Sequence, residues 1–150
     1  MADYEVRAVP AHEVYPLRRA LLHTSDPEAN AEYLDDDHRD ALHVGGFRSR
    51  RLVGVASITP ARMPGEPEPG AWRLAGVAVD HGHRGYGLGA QLVDRCLEHA
   101  AASRARLVWA IVPAGTYGFF ADRGLGRVGE PLVGDGGAPQ YRVMARFASP

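Results

Sequence analysis

The N-terminal third of the chain alternates between segments with strand-like and helix-like spacing of hydrophobic residues. Tyr4–Val9 alternates apolar and polar side chains, which predicts a short strand, and Pro10–Leu22 repeats apolar residues at helical spacing, which predicts a helix. Residues 24–40 are polar and predict either a short helix or a mobile loop. Leu42–Phe47 and Leu52–Ile58 are apolar segments of β-forming composition, and with the polar turn between them they predict a β-hairpin.

The second half of the chain predicts strands and helices in alternation, followed by two closing strands. A Pro- and Gly-rich loop at residues 60–70 leads into the strand Trp72–Val79. Leu88–Ser103 carries its apolar residues on one face, as an amphipathic helix does. Cys96 lies on that face and is predicted to be a core residue. The remaining predicted elements are a buried strand (Leu107–Val112), a short helix (Thr116–Arg123) closed by Gly124, and two final strands (Val128–Val133 and Tyr141–Phe147).

This order of elements predicts one α/β (α+β) domain over residues 1–150. The sheet is expected to be mostly antiparallel, because hairpin-like neighbours dominate the order. One parallel crossover is expected around the helix at 88–103, with helices flanking the sheet.

Composition and charge narrow the class of protein. The formal net charge is −1, so no overall field favours a nucleic acid or an acidic membrane surface, and no apolar run reaches the length of a membrane span. All 17 basic residues are arginine, which excludes any mechanism that needs a lysine. Cys96 is the single cysteine, so an internal disulfide and a cysteine-based metal cluster are excluded. With no secretion signal at the N-terminus, these features predict a cytoplasmic location.

The segment with the clearest chemical meaning is residues 77–90, where an apolar strand runs into a glycine-rich turn that opens a helix. Gly85, Gly87 and Gly89 lack a Cβ, so successive main-chain N–H groups can point into one concavity. The N-terminus of the following helix adds its positive dipole. Together these features predict a site for an anion such as a pyrophosphate.

Three phosphate-binding patterns compete for this segment. A nucleoside-triphosphate loop requires a lysine after its last glycine, and this chain has none. A dinucleotide-binding oxidoreductase requires G-x-G-x-x-G in its first strand–helix unit and an acidic residue about twenty positions later, whereas the spacing here is G-x-G-x-G past mid-chain. The third pattern, R-x-x-G-x-G after a Val-x-Val strand, matches at Arg84, Gly87 and Gly89.

Residues 72–125 resemble the core of the GNAT superfamily of N-acetyltransferases, whose signature is Q/R-x-x-G-x-G/A, and the rest of the chain follows the superfamily's order of elements. The resemblance implies a GNAT-like sheet in which a parallel pair of strands splays apart around the pantetheine arm of acetyl-CoA. It also implies direct transfer of an acetyl group from acetyl-CoA to an amine of a small molecule or a protein. The cofactor-binding residues that it implies are Val77, Ala78 and Val79 along the pantetheine, Arg84, Gly85, Tyr86, Gly87, Leu88, Gly89 and Ala90 around the pyrophosphate, and Phe120.

The catalytic residues are indicated less directly. Many members of the superfamily carry a tyrosine in the pattern F-Y-x-x-x-G-F that protonates the leaving sulfur, but Phe120 occupies that position here. Tyr117 lies one helical turn earlier and is either a substitute proton donor or a packing residue. His43 is a candidate general base, because histidine titrates near neutral pH, or a structural residue of its strand. The other candidates for the base are His81, His83, Asp40, Glu130 and an ordered chain of water molecules.

The acceptor site implied by the resemblance lies near residues 21–40 and 130–140. The acidic run at residues 35–37 is suited to attract a cationic amine, although such runs more often form a solvated surface. Phe120 lacks a hydroxyl, and residues 112–116 lack the asparagine common in the superfamily. A non-catalytic acyl-CoA sensor or partner-binding module is therefore the alternative function. The resemblance is also compatible with a homodimer.

Overall fold

Eight strands form one mixed sheet with helices on both faces in the part of the chain that the computed structural model describes, residues 3–22 and 31–147. The strands are β1 (Glu5–Ala8), β2 (Leu42–Arg48), β3 (Arg51–Pro60), β4 (Ala71–Val79), β5 (Leu107–Pro113), β6 (Gly126–Arg127), β7 (Leu132–Val133) and β8 (Pro139–Arg146), and the helices are α1 (Ala11–Leu22), α2 (Leu88–Ala102) and α3 (Tyr117–Asp122). The sheet order is β1-β2-β3-β4-β5-β8-β6, with β7 also pairing with β8. Among these helices, none is both long enough and apolar enough to cross a membrane.

The hairpin of β2 and β3 confirms the sequence-based prediction. Arg48 pairs with Arg51 across the turn. Between them, Ser49 and Arg50 have φ values of +51° and +69°. Two consecutive left-handed residues are typical of tight hairpin turns whose twist matches that of the strands.

Helices α1 and α2 pack on opposite faces of the sheet. Ile58 in β3 packs in a buried cluster with Leu92 and Cys96 of α2, whereas the neighbouring Ser57 bonds to Arg18 of α1. Successive side chains of a strand point to opposite faces, so the two helices cover different sides. The prediction that Cys96 is a core residue is confirmed, since its side chain is fully buried.

The parallel pair predicted from the sequence is β4 with β5, and it is short. Only residues 71–73 of β4 pair with residues 107–109 of β5. Both strands continue beyond that point, to Val79 and Pro113, without further pairing to each other. The mostly antiparallel sheet with a splayed parallel pair is therefore the observed architecture.

The predicted strand at Val128–Val133 is wrong. The chain instead forms two separate two-residue strands, β6 and β7, which pair with different parts of β8. Gly129 lies between them with a φ of +74°, which an extended strand does not contain. Pro131 has no N–H to donate to a neighbouring strand. The hydrophobic pattern alone therefore predicts a longer strand than the chain forms here.

For residues 24–40 the sequence predicts either a short helix or a mobile loop. Residues 31–41 form a series of turns with no helix. Residues 23–30 lie outside the described residues. The turns bring one acidic residue of the 35–37 run, Asp36, into the protein interior, where it is 5% exposed.

Candidate active site

A cleft opens where β4 and β5 separate. On its other side β4 remains paired to β3, with Ala78 opposite Val55 and Val79 opposite Gly54. The β4 edge that faces β5 has no strand partner from Leu74 onward among the described residues. Main-chain N–H and C=O groups along such an edge need partners, and an extended ligand with amide groups can supply them. Val77, Ala78 and Val79, which the sequence analysis predicts to bind pantetheine, all lie on this stretch.

A bulge in β4 shapes the middle of this edge. Gly76 has a φ of +66°, and the register against β3 shifts between Val55 and Ser57. A Cβ on Gly76 would lie 2.7 Å from Nε of Arg18, so a larger residue there would force the buried arginine to shift. Glycine is therefore required here both for the backbone conformation and for the close approach of the arginine.

The turn after β4 is held by hydrogen bonds to β3, to the end of β4 and to Tyr4. The N–H of Asp80 donates to the carbonyl of Val53 at 2.8 Å, and Nε of Arg84 donates to the carbonyl of Val79 at 2.9 Å. The side chain of His83 contacts the hydroxyl of Tyr4 at 3.1 Å. Arg84 thereby ties the turn to the end of β4 while its side chain remains exposed.

The turn presents open main chain at the start of α2. Gly85 and Gly87 each have a φ of +85°, and a Cβ on either residue would meet no atom within 4 Å. Gly87 is the N-cap of α2 and offers no side-chain hydrogen bond to the first turn. The first N–H groups of a helix otherwise lack partners, so those at the start of α2, beside Tyr86 and Ala90, are open to a ligand, and the anion site stays a prediction from the sequence.

Leu88 fixes the position of this helix N-terminus. Its side chain is 1% exposed and enters a depression formed by two glycines of the neighbouring strands. A Cβ on Gly46 would lie 2.5 Å from one Leu88 methyl, and a Cβ on Gly54 would lie 2.9 Å from the other. Leu88 therefore can offer a ligand only its main chain, while its side chain anchors α2 to the sheet.

Helix α3 brings a pair of phenylalanines to the cleft. Phe120, a predicted cofactor-binding residue, is buried in the main core at 6% exposure. Phe119 is half-buried, and its ring would lie 3.5 Å from a Cβ on Gly89, close to Val79. Sequence reasoning missed Phe119. Its contact with the glycine motif depends on how helix α3 packs against that motif, and no spacing along the chain indicates this packing.

Tyr117, the candidate proton donor, has its hydroxyl directed at β6. That hydroxyl accepts a hydrogen bond from the N–H of Arg127 at 3.4 Å. The Tyr117 ring also packs edge-on against Tyr141, with 5.7 Å between ring centroids. These contacts are those of a packing residue near the end of the cleft.

His43, the candidate base, lies inside a polar network with both ring nitrogens engaged. Nδ1 is 2.6 Å from Oγ of Ser57, and Nε2 is 2.9 Å from the carbonyl oxygen of Asp36. A carbonyl only accepts, so Nε2 carries the proton, and Nδ1 accepts from the serine hydroxyl. The lone pair that a base would use is therefore already bonded, and the ring is only 5% exposed.

The same network holds a buried ion pair, which corrects the expectation that the acidic run at 35–37 is solvated. Arg18 donates to both carboxylate oxygens of Asp36, at 2.6 and 3.1 Å, and to Oγ of Ser57 at 2.9 Å. Its guanidinium lies 3.9 Å from the centre of the Tyr33 ring. A buried carboxylate is tolerated only with such partners. Asp35 is half-buried and Asp37 is exposed.

A cavity of about 590 Å³ lies on the α1 face of the sheet, beside the point where β4 and β5 separate. Strands β3, β4 and β5 form its floor, and the turns at residues 33–36 form one wall. It is therefore on the opposite face of the sheet from α2. Its lining includes Tyr33, Asp35, Asp36, Ser57, Thr59, Arg62, Arg73, Ala75 and Trp109.

The other predicted bases lie elsewhere. Asp40, His81 and Glu130 are exposed, and His83 is half-buried beside Tyr4. None of these four residues lines the cavity. Cys96 is fully buried under α2, and burial raises its pKa to about 12, so its thiol remains protonated at neutral pH.

Comparisons with known proteins agree with this geometry. The model of the acetyltransferase (GNAT) family matches residues 11–124. An uncharacterised N-acetyltransferase of Bacillus subtilis, YitI, is 28% identical over 128 residues, which cover 85% of this chain and 86% of that protein.

Solved structures share the fold. Escherichia coli ElaA superposes with a TM-score of 0.76 at 21% identity, over 95% of this chain and 99% of its own. An acyl-CoA N-acyltransferase from Pseudomonas aeruginosa superposes with a TM-score of 0.75 at 18% identity, over 97% and 99% of the two chains. The splayed strands, the glycine turn and the family match all agree, and this chain belongs to the GNAT family of acetyltransferases.

Proposed function

We propose that this chain is a single-domain enzyme that transfers an acetyl group from acetyl-CoA directly to an amine. Membership of the family establishes an acyl-CoA-dependent acyltransferase, and the proposal adds the acetyl donor and the amine acceptor. The observation that supports this proposal best is that the free edge of β4 leads directly into the glycine turn and the open N-terminus of α2. A pyrophosphate and an amide-containing arm need these two surfaces side by side.

The residues present fit such a cofactor. Main-chain groups of Gly85–Ala90 are suited to the pyrophosphate, and Arg84 is exposed beside them to add a positive charge. The edge at Val77–Val79 is suited to the pantetheine amides. Phe119, next to Gly89 and Val79, is the aromatic side chain best suited to contact the cofactor, in preference to the buried Phe120.

The acceptor is proposed to occupy the cavity on the α1 face. Bound acetyl-CoA supplies an activated thioester, whose carbonyl carbon an unprotonated amine attacks. The cavity opens beside the separation of β4 and β5, so an amine there approaches from the face opposite α2. Acceptors of both kinds, a small-molecule amine and a protein amino group, remain within the proposal.

The contacts of the two candidate catalytic residues favour supporting roles. His43 has no free lone pair, because Ser57 and Asp36 occupy both ring nitrogens. We propose that it orients Ser57 at the cavity floor instead of removing the amine's proton. Tyr117 bonds to the main chain of β6, so we propose that solvent or the acceptor protonates the leaving thiolate. Thiols have pKa values of about 8.5, so a thiolate is a good enough leaving group to depart without protonation by a side chain.

Calorimetry with acetyl-CoA and CoA tests the binding site. A Gly89→Ala variant is expected to bind like wild type, because a Cβ at that position makes only ordinary contacts at 3.5 Å or more. Gly89→Trp fills the cleft and is expected to weaken binding by roughly tenfold or more. Gly126→Trp, which places the same bulk on β6 at the far edge of the sheet, serves as the control. A folded wild type that binds neither ligand at millimolar concentration contradicts the proposal.

The second candidate function is a non-catalytic acyl-CoA sensor, which the absence of a hydroxyl on Phe120 favours. A thiol-release assay with acetyl-CoA and a panel of amines, arginine derivatives and peptides separates the two functions. Cys96 is buried with its pKa raised to about 12, so the native protein contributes no background thiol. Tight cofactor binding without thiol release across the whole panel would favour the sensor.

We further propose a cytoplasmic location and a homodimer as the working state. The single buried cysteine suits a reducing compartment. Sedimentation at micromolar protein concentration tests the dimer, and a purely monomeric species with full activity would exclude it.

A further inference from the structure

An arginine without an ion pair lies in the floor of the proposed acceptor cavity. Arg73 of β4 lines the cavity, is half-buried, and has a buried Nε with no hydrogen-bond partner among the described residues. No carboxylate of the described chain lies within ion-pair distance of it. A guanidinium is rarely buried without an anion or acceptor, so this one is suited to a partner that the chain does not provide.

The Trp109 ring holds Arg73 in place. Arg73 and Trp109 are direct partners in the parallel pairing of β4 and β5, so their side chains share one face of the sheet. The guanidinium carbon of Arg73 lies 5.1 Å from the indole centre, within the range of a cation–π contact. The indole is itself fixed, since its Nε1 donates to the carbonyl of Ala61 at 2.9 Å. The stacking orients the arginine without neutralising it.

A second arginine with an unpartnered Nε lies on the same face of the sheet. Arg142 of β8 is half-buried, with a buried Nε that has no partner within the described segments. It pairs directly with Ile111, two residues beyond Trp109 on β5. Residues two apart on a strand share a face, so Arg142 adds positive charge to the side of the sheet that carries Arg73.

The acidic residues near the cavity do not compensate these charges. Asp36 is already bonded to Arg18 through both oxygens. Asp35 lies on the opposite wall, formed by the turns. At the rim, Arg62 is exposed and donates to the carbonyls of Glu66 and Pro67. The floor of the cavity therefore carries an uncompensated positive charge beside the proposed acyl-transfer point.

We propose that Arg73 binds an anionic group of the acceptor, so that the enzyme selects amines that also carry a carboxylate or a phosphate. The inference rests on the proposed function, since it specifies the acceptor of the same site. The planar guanidinium donates two parallel hydrogen bonds to either group. Arg73 is thus a specificity-determining residue, and amines that carry no carboxylate or phosphate are poor acceptors.

Binding of product-like ligand pairs tests the inference without requiring turnover. In the carboxylate arm, N-acetylglycine, N-acetyl-β-alanine and N-acetylphenylalanine are each compared with the corresponding amide by calorimetry in the presence of CoA. In the phosphate arm, N-acetyl-O-phosphoethanolamine is compared with N-acetylethanolamine. At least one anion is expected to bind about 10- to 100-fold more tightly than its neutral partner, the range typical of a hydrogen bond between charged groups.

Variants assign this preference to Arg73. Arg73→Gln is expected to abolish the difference between the anionic and neutral ligands, and Arg73→Lys to retain part of it. Arg95→Gln, an exposed arginine on α2 at the opposite face, should keep the wild-type preference. Equal binding of both members of every pair by wild type overturns the inference. So does a preference that survives in folded Arg73→Gln.

The outcome is separable from that of the proposed function. An anion preference that depends on Arg73, found in a protein that releases no thiol from acetyl-CoA, would support the anion site and reject acetyl transfer. Thiol release with neutral amines at the same kcat/KM as with their carboxylated counterparts would support the transfer and reject the role of Arg73.

Discussion

Adjacent residues of the glycine turn have different physical roles. Gly85 and Gly87 supply left-handed backbone at φ +85° in open space, while Gly89 provides a small surface under Phe119. Leu88, between them, points the other way into the core. A larger residue at Gly85 or Gly87 would therefore strain the backbone, whereas one at Gly89 would fill the space beside Phe119.

At the residue scale, replacing Tyr117 by phenylalanine is expected to leave the rate of acetyl transfer within about twofold of wild type. General acid catalysis is typically worth about 10²–10⁴-fold, so the loss of a true proton donor would be obvious. The Tyr117 hydroxyl instead bonds the N–H of Arg127 at 3.4 Å, and because this contact is long and exposed, its removal should cost less than about 0.5 kcal/mol of unfolding free energy.

Steady-state kinetics and urea denaturation measure the two effects of Tyr117→Phe. A fall in kcat of tenfold or more, with cofactor affinity unchanged, would restore Tyr117 as the donor. Phe120→Tyr is the companion variant. Its new hydroxyl enters a buried core position and is expected to destabilise the fold by about 1–3 kcal/mol for want of a partner.

At the scale of elements, Leu88 holds the first turn of α2 in a space left by two glycines, while other buried side chains hold the rest of the helix. The side chain of Leu88 inserts into the space that Gly46 and Gly54 leave because they have no side chains. The first turn of the helix is thereby held against β2 and β3. Because the proposed anion site consists of the main chain of that same turn, the packing of Leu88 and the affinity for acyl-CoA should be coupled.

Leu88→Ala is therefore expected to lower the unfolding free energy by about 2–5 kcal/mol, as for other fully buried leucines, and to weaken acetyl-CoA binding. Leu97→Ala is the matched control, since Leu97 is only half-buried on the same helix. It should cost less stability and leave affinity unchanged. Denaturant unfolding and calorimetry give both quantities. Equal affinity in Leu88→Ala and wild type would show that the turn holds its shape without this anchor.

At the scale of the whole molecule, a buried polar network joins α1, the turns at 31–41 and the sheet. Arg18 reaches from α1 to Asp36 and to Ser57 of β3, and His43 of β2 closes the network. These contacts lie under the wall of the acceptor cavity. The network therefore holds in place the segment against which the acceptor is proposed to bind.

Asp36→Asn leaves the Arg18 guanidinium buried without its carboxylate and is expected to cost about 3–5 kcal/mol of unfolding free energy. Asp37→Asn, at the exposed next position, should change stability by less than about 0.5 kcal/mol. Urea denaturation of the two variants makes the comparison. Similar small losses in both would mean that Asp36 is solvated in solution and that the wall of the cavity is held by other contacts.

The sequence determined the features that depend on local spacing. The periodicity of Leu88–Ser103 predicted α2, observed at Leu88–Ala102, because an amphipathic helix must turn one face to the core. The glycines at 85, 87 and 89 predicted an anion-binding turn, because φ preferences and the missing Cβ act within a few residues. The hairpin of β2 and β3 followed from the same kind of local signal.

Only the tertiary structure decided which distant residues meet. Asp36 is buried because α1 brings Arg18 to it, and His43 is engaged because β3 brings Ser57 beside it. Phe119 reaches Gly89 across the fold, and Arg73 lacks an anion because no acidic residue of the described chain packs against it. Sequence spacing fixes which way a side chain points on its own element, whereas burial, pairing and charge balance depend on the elements packed against it.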